Sequence, residues 1–326
     1  MLDSILESYW LFPLVLFAFV LLLYSYVTAI PKYSFAGKHV AITGGSSGIG
    51  LSVAVAAIQR GAHVTLIARN RDKLEMAREQ VLDHTVNDEQ RVAVCSLNVK
   101  DEFQVVRSSI QEAEDYIGKC VDVLVNCAGT SICGCFEDIP PSQFEDMMNL
   151  NFMGSVIPTQ CVVANMKRQK SGRIVFCSSQ AGQIGIFGYT AYSASKFALR
   201  GFSEALQMEL RPHNIYLHVA YPPDTDTPGY KEEMAVGKPK ETILISETSG
   251  LFPPDRVAED LICGVENGKY SISTGIEGWL LSQTCAGTEP VHAMIHGILQ
   301  ALIAPLGRII ILFNQRQFAK ICKDNA

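Results

Sequence analysis

The sequence predicts an α/β fold in which helices cover both faces of a doubly wound parallel sheet of about seven strands. Short β-branched runs alternate with amphipathic stretches, which is the pattern of a parallel sheet whose crossovers are helical. A glycine-rich turn follows the first run, and both ends of the chain are apolar. The runs lie at residues 39–43, 63–68, 92–97, 121–126, 173–177, 215–220 and 270–273.

Composition limits the class of protein. The 27 Lys and Arg residues face 33 Asp and Glu residues, a net charge of −6 that gives no cation excess for binding nucleic acid. The chain is 48% hydrophobic and 18% charged, with a mean hydropathy of +0.16. This is too apolar for a disordered chain and predicts that part of the protein meets lipid.

The ten cysteines are scattered through apolar stretches, which is typical of buried thiols in a reducing compartment. Cys133 and Cys135 are too close together for a zinc pair, and no second pair lies near them. We therefore expect no disulfide framework and no metal.

The N-terminal apolar run predicts a membrane anchor. Residues 9–30 carry no charge over 22 residues, about 33 Å as a helix, enough to cross the hydrocarbon core. Asp3 and Glu7 precede the run where a cleaved signal peptide would have basic residues, so we expect it to be retained. Lys32 and Lys38 follow it, which places the remainder on the cytosolic side.

The C-terminal apolar stretch, residues 291–313, contains Pro305 and Arg308 and permits four interpretations. It could be a second membrane crossing, a helix lying in the membrane interface, a re-entrant hairpin, or a helix packed on the core. We predict three parts: an anchor at 1–31, a nucleotide-binding domain at 32–278, and an apolar, membrane-associated segment at 279–326. Within the domain, residues 222–254 are polar and rich in Gly and Pro, which predicts a long loop or lid.

The glycine-rich turn predicts a dinucleotide site. Residues 43–50 read Thr-Gly-Gly-Ser-Ser-Gly-Ile-Gly between a strand and a helix, where glycines let a pyrophosphate approach amides at the helix N-terminus. The fold is therefore expected to be Rossmann-type. The predicted contacts in this turn are Gly44, Ser46, Ser47, Gly48, Ile49 and Gly50.

The end of the second run predicts which cofactor binds. An enzyme selective for NAD places an acid there, but Arg69 stands in that position, with Lys73 one turn later. Two cations suit a ribose 2′-phosphate, so NADPH is the expected cofactor.

Tyr192 and Lys196 are four residues apart, so on a helix they share one face. A free tyrosine titrates near pH ~10, and a neighbouring cation favours the phenolate, which suits the pair to acid–base chemistry.

Together these motifs resemble the short-chain dehydrogenase/reductase family over residues 37–275. The matching features are the glycine-rich turn, Asn126-Cys-Ala-Gly129, Asn151, Ser179 and Tyr192-Ser-Ala-Ser-Lys196, in the family's order. The resemblance implies that Tyr192 donates a proton to a carbonyl oxygen that Ser179 hydrogen-bonds. It implies that Lys196 lowers the tyrosine pKa and holds the nicotinamide ribose, and that Asn151 keeps a relay water. Ser178 is the alternative to Ser179.

The resemblance also implies further cofactor contacts, which are Asn98, Val99, Asn126, Ala128, Gly129, Tyr192, Lys196, Thr225 and Thr227. The sequence departs from the family at three of its motifs. Asn98 replaces the usual Asp, Cys127 replaces a second Asn, and Pro222-Pro223 replaces Pro-Gly. None of these changes removes a catalytic group.

Residues 220–229, Ala-Tyr-Pro-Pro-Asp-Thr-Asp-Thr-Pro-Gly, and the two apolar ends resemble the members that reduce a long-chain keto sphingoid base. This implies NADPH-dependent reduction of 3-ketosphinganine to sphinganine, membrane lipid as a partner, and an endoplasmic-reticulum membrane location with the domain facing the cytosol. Either Asp224 or Asp226 could pair with the substrate's 2-ammonium, or both could cap a turn.

Two alternatives stay open at this point. The chain could be another membrane-bound short-chain reductase, acting on a steroid, a retinoid or a long-chain 3-ketoacyl thioester. It could instead be a non-catalytic nucleotide-binding membrane protein, although its four catalytic residue types argue against that. We also expect a homodimer paired through helices at 142–167 and 191–211.

Overall fold

The computed structural model describes residues 15–17, 19–20, 30–246, 250–291 and 293–325. Within these residues, seven strands form one parallel sheet in the order β3-β2-β1-β4-β5-β6-β7. The strands are β1 (His39–Thr43), β2 (His63–Ala68), β3 (Val92–Ser96), β4 (Val123–Asn126), β5 (Gly172–Cys177), β6 (Ile215–Tyr221) and β7 (Ser271–Ser273). The predicted doubly wound sheet is confirmed.

Helices follow most strands and cover both faces of the sheet. They are α1 (Gly48–Ile58), α2 (Arg71–Leu82), α3 (Phe103–Ile117), α4 (Pro141–Met147), α5 (Gly154–Gln169), α6 (Thr190–Leu210), α7 (Pro228–Val236), α8 (Lys240–Ser246), α9 (Pro254–Glu266), α10 (Gly275–Cys285) and α11 (Met294–Asn325). A π-helix, Met148–Met153, joins α4 to α5.

The two faces of the sheet bury separate hydrophobic clusters. On one face, α1 packs on β1 and β2, and α9 packs on α1 and β7, with Val53 and Leu261 buried. On the other face, α3, α5 and α6 bury Ile110, Val162 and Leu199 against the same sheet. Strands enclosed in this way need apolar side chains on both sides, which explains why β1, β4 and β5 are buried at every position.

The strand order reverses at β1, and this places the site. Thr43 at the end of β1 pairs with Ile67 of β2 on one side and with Asn126 of β4 on the other. The connections leave β1 and β4 in opposite directions, which opens a crevice at their carboxyl ends.

A clamp formed by Arg173 and two tyrosine rings holds the start of the domain against the sheet. The guanidinium carbon of Arg173, on β5, lies 4.5 Å from the ring centroids of both Tyr33 and Tyr216. The backbone N–H of Tyr33 also donates to the Glu266 carbonyl at 2.8 Å. The predicted anchor at 9–30 precedes this clamp and lies almost entirely outside the described residues.

The C-terminal segment forms one continuous helix, α11, through Pro305, rather than a hairpin. It approaches α10 closely at Gly307, where an added Cβ would collide with the Thr284 side chain. Its outer face is apolar and open, with Leu302 and Leu306 about two-thirds exposed. Among the described residues, α11 is the one helix long and apolar enough to cross a membrane.

Residues 222–254 hold two helices rather than one long loop. Thr227 caps α7 by accepting from the Tyr230 N–H at 3.1 Å, and Pro228 occupies its first turn. None of the α7 residues is buried. The α7 sequence therefore lacks the apolar stripe that indicates a packed helix, although it does contain the capping Thr227 and the first-turn Pro228.

Candidate active site

The turn between β1 and α1 is shaped as a cradle that only glycine permits. Gly44 has φ +70°, and a Cβ there would lie 2.9 Å from the Ala128 backbone nitrogen. Gly48 has φ +55°, and its Cβ would lie 3.0 Å from Thr227 Cγ2. The side chain of Ser47 makes no capping bond, and Ser47, Gly48 and Ile49 at the start of α1 line the cavity. The cradle therefore fits the pyrophosphate of a dinucleotide.

A cavity of about 2030 Å³ runs from this cradle past Tyr192 to α10 and α11. Of the predicted cofactor contacts, all but Asn126 line it. Those residues are Gly44, Ser46, Ser47, Gly48, Ile49, Gly50, Arg69, Lys73, Asn98, Val99, Ala128, Gly129, Tyr192, Lys196, Thr225 and Thr227.

Arg69 and Lys73 are exposed on the cavity rim at the end of β2. The Asn70 side chain between them accepts from the Lys73 N–H at 2.9 Å and so starts α2 there. Within the described part of the chain, neither cation forms an ion pair. Both are available to an anionic ligand.

The catalytic group forms where β5 ends beside the first turns of α6. Ser179 Oγ accepts from the Ala181 N–H at 3.1 Å, and the Ser179 side chain lowers the pKa of the Tyr192 phenol. Ser178 is buried and its hydroxyl donates to the Lys196 carbonyl at 3.0 Å, which fixes the strand to the helix. Ser179 is therefore the serine beside the phenol, and its catalytic role stays a prediction.

Burial raises the pKa of Tyr192, the hydrogen bond from Ser179 lowers it, and the carboxylates of Glu233 and Asp224 raise it. The net direction is upward, because burial and the two carboxylates outweigh the lowering by Ser179. A phenol in this state holds its proton at neutral pH and can donate it.

Lys196 lies beneath the tyrosine. Its Nζ is 5.7 Å from the Tyr192 ring centroid and donates to the Cys177 carbonyl at 2.8 Å. Burial lowers the pKa of Lys196. The ammonium also lines the cavity, so it can contact a ligand as well as the strand.

Asn151 and Asn126 are buried and do not line the cavity. Asn151 lies on the π-helix, and its side chain donates to the Thr130 carbonyl at 3.0 Å and accepts from the Thr130 N–H at 3.0 Å. It also donates to Ser195 Oγ at 2.9 Å. Asn126 donates to Thr159 Oγ1 at 3.3 Å. Both amides brace the site, and their water-holding and cofactor roles stay predictions.

The loop after β6 separates the two acids considered for the substrate amine. Asp224 lines the cavity, and its pKa is raised, chiefly by burial. Asp226 is exposed and pairs with Lys231 at 3.0 Å, away from the cavity lining. Thr225, between them, is buried and donates to the Pro223 carbonyl at 2.8 Å.

A polar group that the sequence did not reveal lies beside the phenol. Glu233 on α7 accepts hydrogen bonds from the hydroxyls of Ser131 and Tyr189 and forms an ion pair with Lys238 at 2.8 Å. The Tyr189 ring centroid is 5.4 Å from that of Tyr192. Tyr189 stands one turn before the Tyr-Lys motif, which could have pointed to it, but Glu233 belongs to no motif.

All ten cysteines are free thiols, as predicted. The Sγ atoms of Cys127 and Cys177 lie 2.8 Å apart at the ends of β4 and β5. Over the ranges that the structure describes, no three His, Cys, Asp or Glu side chains come together to hold a metal.

The fold and this site define a class of protein. Residues 38–235 match the family model described as short chain dehydrogenase. The chain belongs to the short-chain dehydrogenase/reductase family.

The relatives of this chain carry names more specific than that of the family. A 3-ketodihydrosphingosine reductase from Bos taurus is 47% identical over 310 residues, covering 94% of this chain and 93% of that protein. A 3-dehydrosphinganine reductase from Danio rerio is 48% identical over 308 residues, covering 94% and 92%. A solved short-chain dehydrogenase from Streptomyces avermitilis is 26% identical with a TM-score of 0.63, covering 77% of this chain and 92% of that one.

Proposed function

We propose that this protein reduces 3-ketosphinganine to sphinganine with NADPH. One observation carries the proposal: a single cavity joins the dinucleotide cradle, the phenol of Tyr192 and the apolar face of α11. The names of the relatives from Bos taurus and Danio rerio support the same substrate.

The chain's residues supply the proton chemistry. When bound, the reduced nicotinamide supplies a hydride to the ketone carbon. Ser179 is placed to hydrogen-bond the ketone oxygen, and Tyr192 to give that oxygen its proton. Lys196, held by the Cys177 carbonyl, is placed to hold the nicotinamide ribose and to stabilise the phenolate that proton donation leaves.

The preference for NADPH over NADH rests on Arg69 and Lys73. A ribose 2′-phosphate placed at the end of β2 would meet both cations, whereas a free 2′-hydroxyl needs an acid that this strand end lacks.

The far end of the cavity suits a long alkyl chain. It is lined by apolar residues of the last two helices, which are Leu280, Leu281, Ile303, Ile310 and Ile311. Burial of each methylene in such a groove contributes about 0.8 kcal/mol.

The exposed apolar face of α11 supports membrane association. We propose an endoplasmic-reticulum membrane location, with the domain at 32–278 facing the cytosol. The segments at 1–31 and 279–326 would contact lipid. Pairing of subunits through α5 and α6 is part of the same proposal.

The test is NADPH consumption by the detergent-solubilised full chain with 3-ketosphinganine, beside a steroid ketone and a 3-ketoacyl thioester. Turnover of the sphingoid ketone, lost in Tyr192→Phe, is the expected result. Turnover of only another ketone would discard the substrate but keep the chemistry. Cofactor binding without turnover of any ketone would overturn the enzyme assignment.

A further inference from the structure

The cavity wall formed by α7 and the loop after β6 carries an excess of negative charge. Of the carboxylates that line the cavity, Asp224 and Glu233 lie on this wall, and both raise the pKa of Tyr192. Lys238 pairs with Glu233 at 2.8 Å, and its side chain is only 1% exposed. One lysine cannot balance two acids, and a half-buried carboxylate without a counter-ion is costly. This wall is therefore suited to a cationic ligand.

Glu233 is held in a fixed position. The hydroxyls of Ser131 and Tyr189 both donate to it, and the Lys238 ammonium lies 4.8 Å from the Tyr230 ring centroid. A carboxylate has about four lone-pair directions. The two hydroxyl donors leave lone-pair directions for a further donor, and Lys238, which forms an ion pair with Glu233, does not line the cavity.

A substrate whose ketone lies at the Tyr192 phenol can reach this wall. Glu233 bonds Tyr189, whose ring contacts that of Tyr192, and the proton donor is Tyr192. In the proposed substrate, the ammonium is on the carbon next to the ketone. A ketone oxygen at the phenol therefore brings the ammonium to the Tyr189 and Glu233 side of the cavity.

We propose that Glu233, assisted by Asp224, binds the 2-ammonium of the keto sphingoid base and so selects amino ketones over plain ketones. This rests on the proposed function. It assigns recognition of the amine chiefly to Glu233 on helix α7. It excludes Asp226, which pairs with Lys231 on the surface.

The first test uses the wild-type full chain with NADPH and two ketones of equal chain length, 3-ketosphinganine and its 2-desamino analogue. We expect kcat/KM to favour the amino ketone about ten- to hundredfold, the range of one charge-assisted hydrogen bond. Equal kcat/KM for the two would overturn the inference while the proposed function stands. Failure to reduce 3-ketosphinganine, with turnover of another ketone, would overturn the proposed function itself.

The second test compares Glu233→Gln with Asp226→Asn, a neutralised carboxylate that is exposed and lies outside the cavity lining. We expect Glu233→Gln to raise KM for the amino ketone about tenfold and to leave the desamino ketone within twofold. Asp226→Asn should change neither.

Asp224→Asn provides a second variant, with a smaller loss expected in the same direction. Thermal unfolding and NADPH affinity, measured on each variant, identify any that is misfolded. A folded Glu233→Gln that loses both ketones equally would show a structural role and refute the inference.

Discussion

Replacing Gly50 with alanine tests the dinucleotide cradle directly. Gly50 is on the first turn of α1 and faces the turn that precedes the helix. An added Cβ would lie 2.9 Å from the Gly44 carbonyl carbon, closer still to its oxygen, and 3.3 Å from the Gly45 Cα. All three are backbone atoms, so no side chain can move aside.

The size of the effect follows from these distances. Ordinary contacts begin at 3.4 Å, so the turn must shift by at least 0.5 Å (3.4 − 2.9). Overpacking of this kind costs about 1–3 kcal/mol, which corresponds to a Tm lower by about 3–10 °C in a domain of this size. Because the shifted amides are those that face the pyrophosphate, we expect NADPH affinity to fall about ten- to hundredfold.

The matched control is Gly201→Ala. Gly201 is exposed inside α6, and an added Cβ there would meet nothing within 4 Å. Alanine in a helix interior is favoured over glycine by about 1 kcal/mol, so this variant should raise Tm and leave cofactor affinity unchanged. NADPH fluorescence titration and thermal unfolding measure both quantities. Wild-type affinity in Gly50→Ala would refute the packing argument.

Three further predictions concern the rest of the site. Arg69→Ala should raise KM for NADPH about tenfold and leave KM for NADH nearly unchanged; an equal change in both would mean that the guanidinium does not bind the 2′-phosphate. Ser179→Ala should lower kcat about a hundredfold, whereas Ser178→Ala should instead cost about 1 kcal/mol of stability in thermal unfolding. If Ser178→Ala lowered kcat and Ser179→Ala lowered only stability, the two serines would exchange roles. The Glu233 carboxylate raises the pKa of Tyr192, and reduction requires the protonated phenol. The loss of rate at alkaline pH should therefore begin at lower pH in Glu233→Gln. An unchanged pH profile would contradict the electrostatic effect of Glu233 on Tyr192.

The sheet could be predicted from the sequence because buried parallel strands need continuous β-branched runs. The predicted bounds of β1 and β2 agree with the structure, and those of the other strands differ by at most two residues per end. The glycine cradle and the Tyr192 and Lys196 pair could also be predicted, since local spacing alone places them. Ser178 and Ser179 could not be separated by residues alone, because their roles depend on which hydroxyl the neighbouring helix α6 meets.

The acidic wall of the cavity could not be predicted. Ser131, Tyr189 and the pair Glu233 and Lys238 come from three separate stretches of the chain, and only the packing of α7 over the site brings them together. The helix itself was hidden, because without an apolar stripe its sequence resembles a polar loop. The orientation of α11 depends in the same way on tertiary contacts, with α8 and with α10 at Gly307.

The clamp of Arg173 between two tyrosine rings has a mechanical consequence. A flexible linker would absorb rotation and tension. Tyr33 cannot act as one, because its ring packs on Arg173 of β5 and its backbone N–H donates to the Glu266 carbonyl. Any torque on the residues just before Tyr33 therefore passes into β5, an interior strand of the sheet, and into the end of α9.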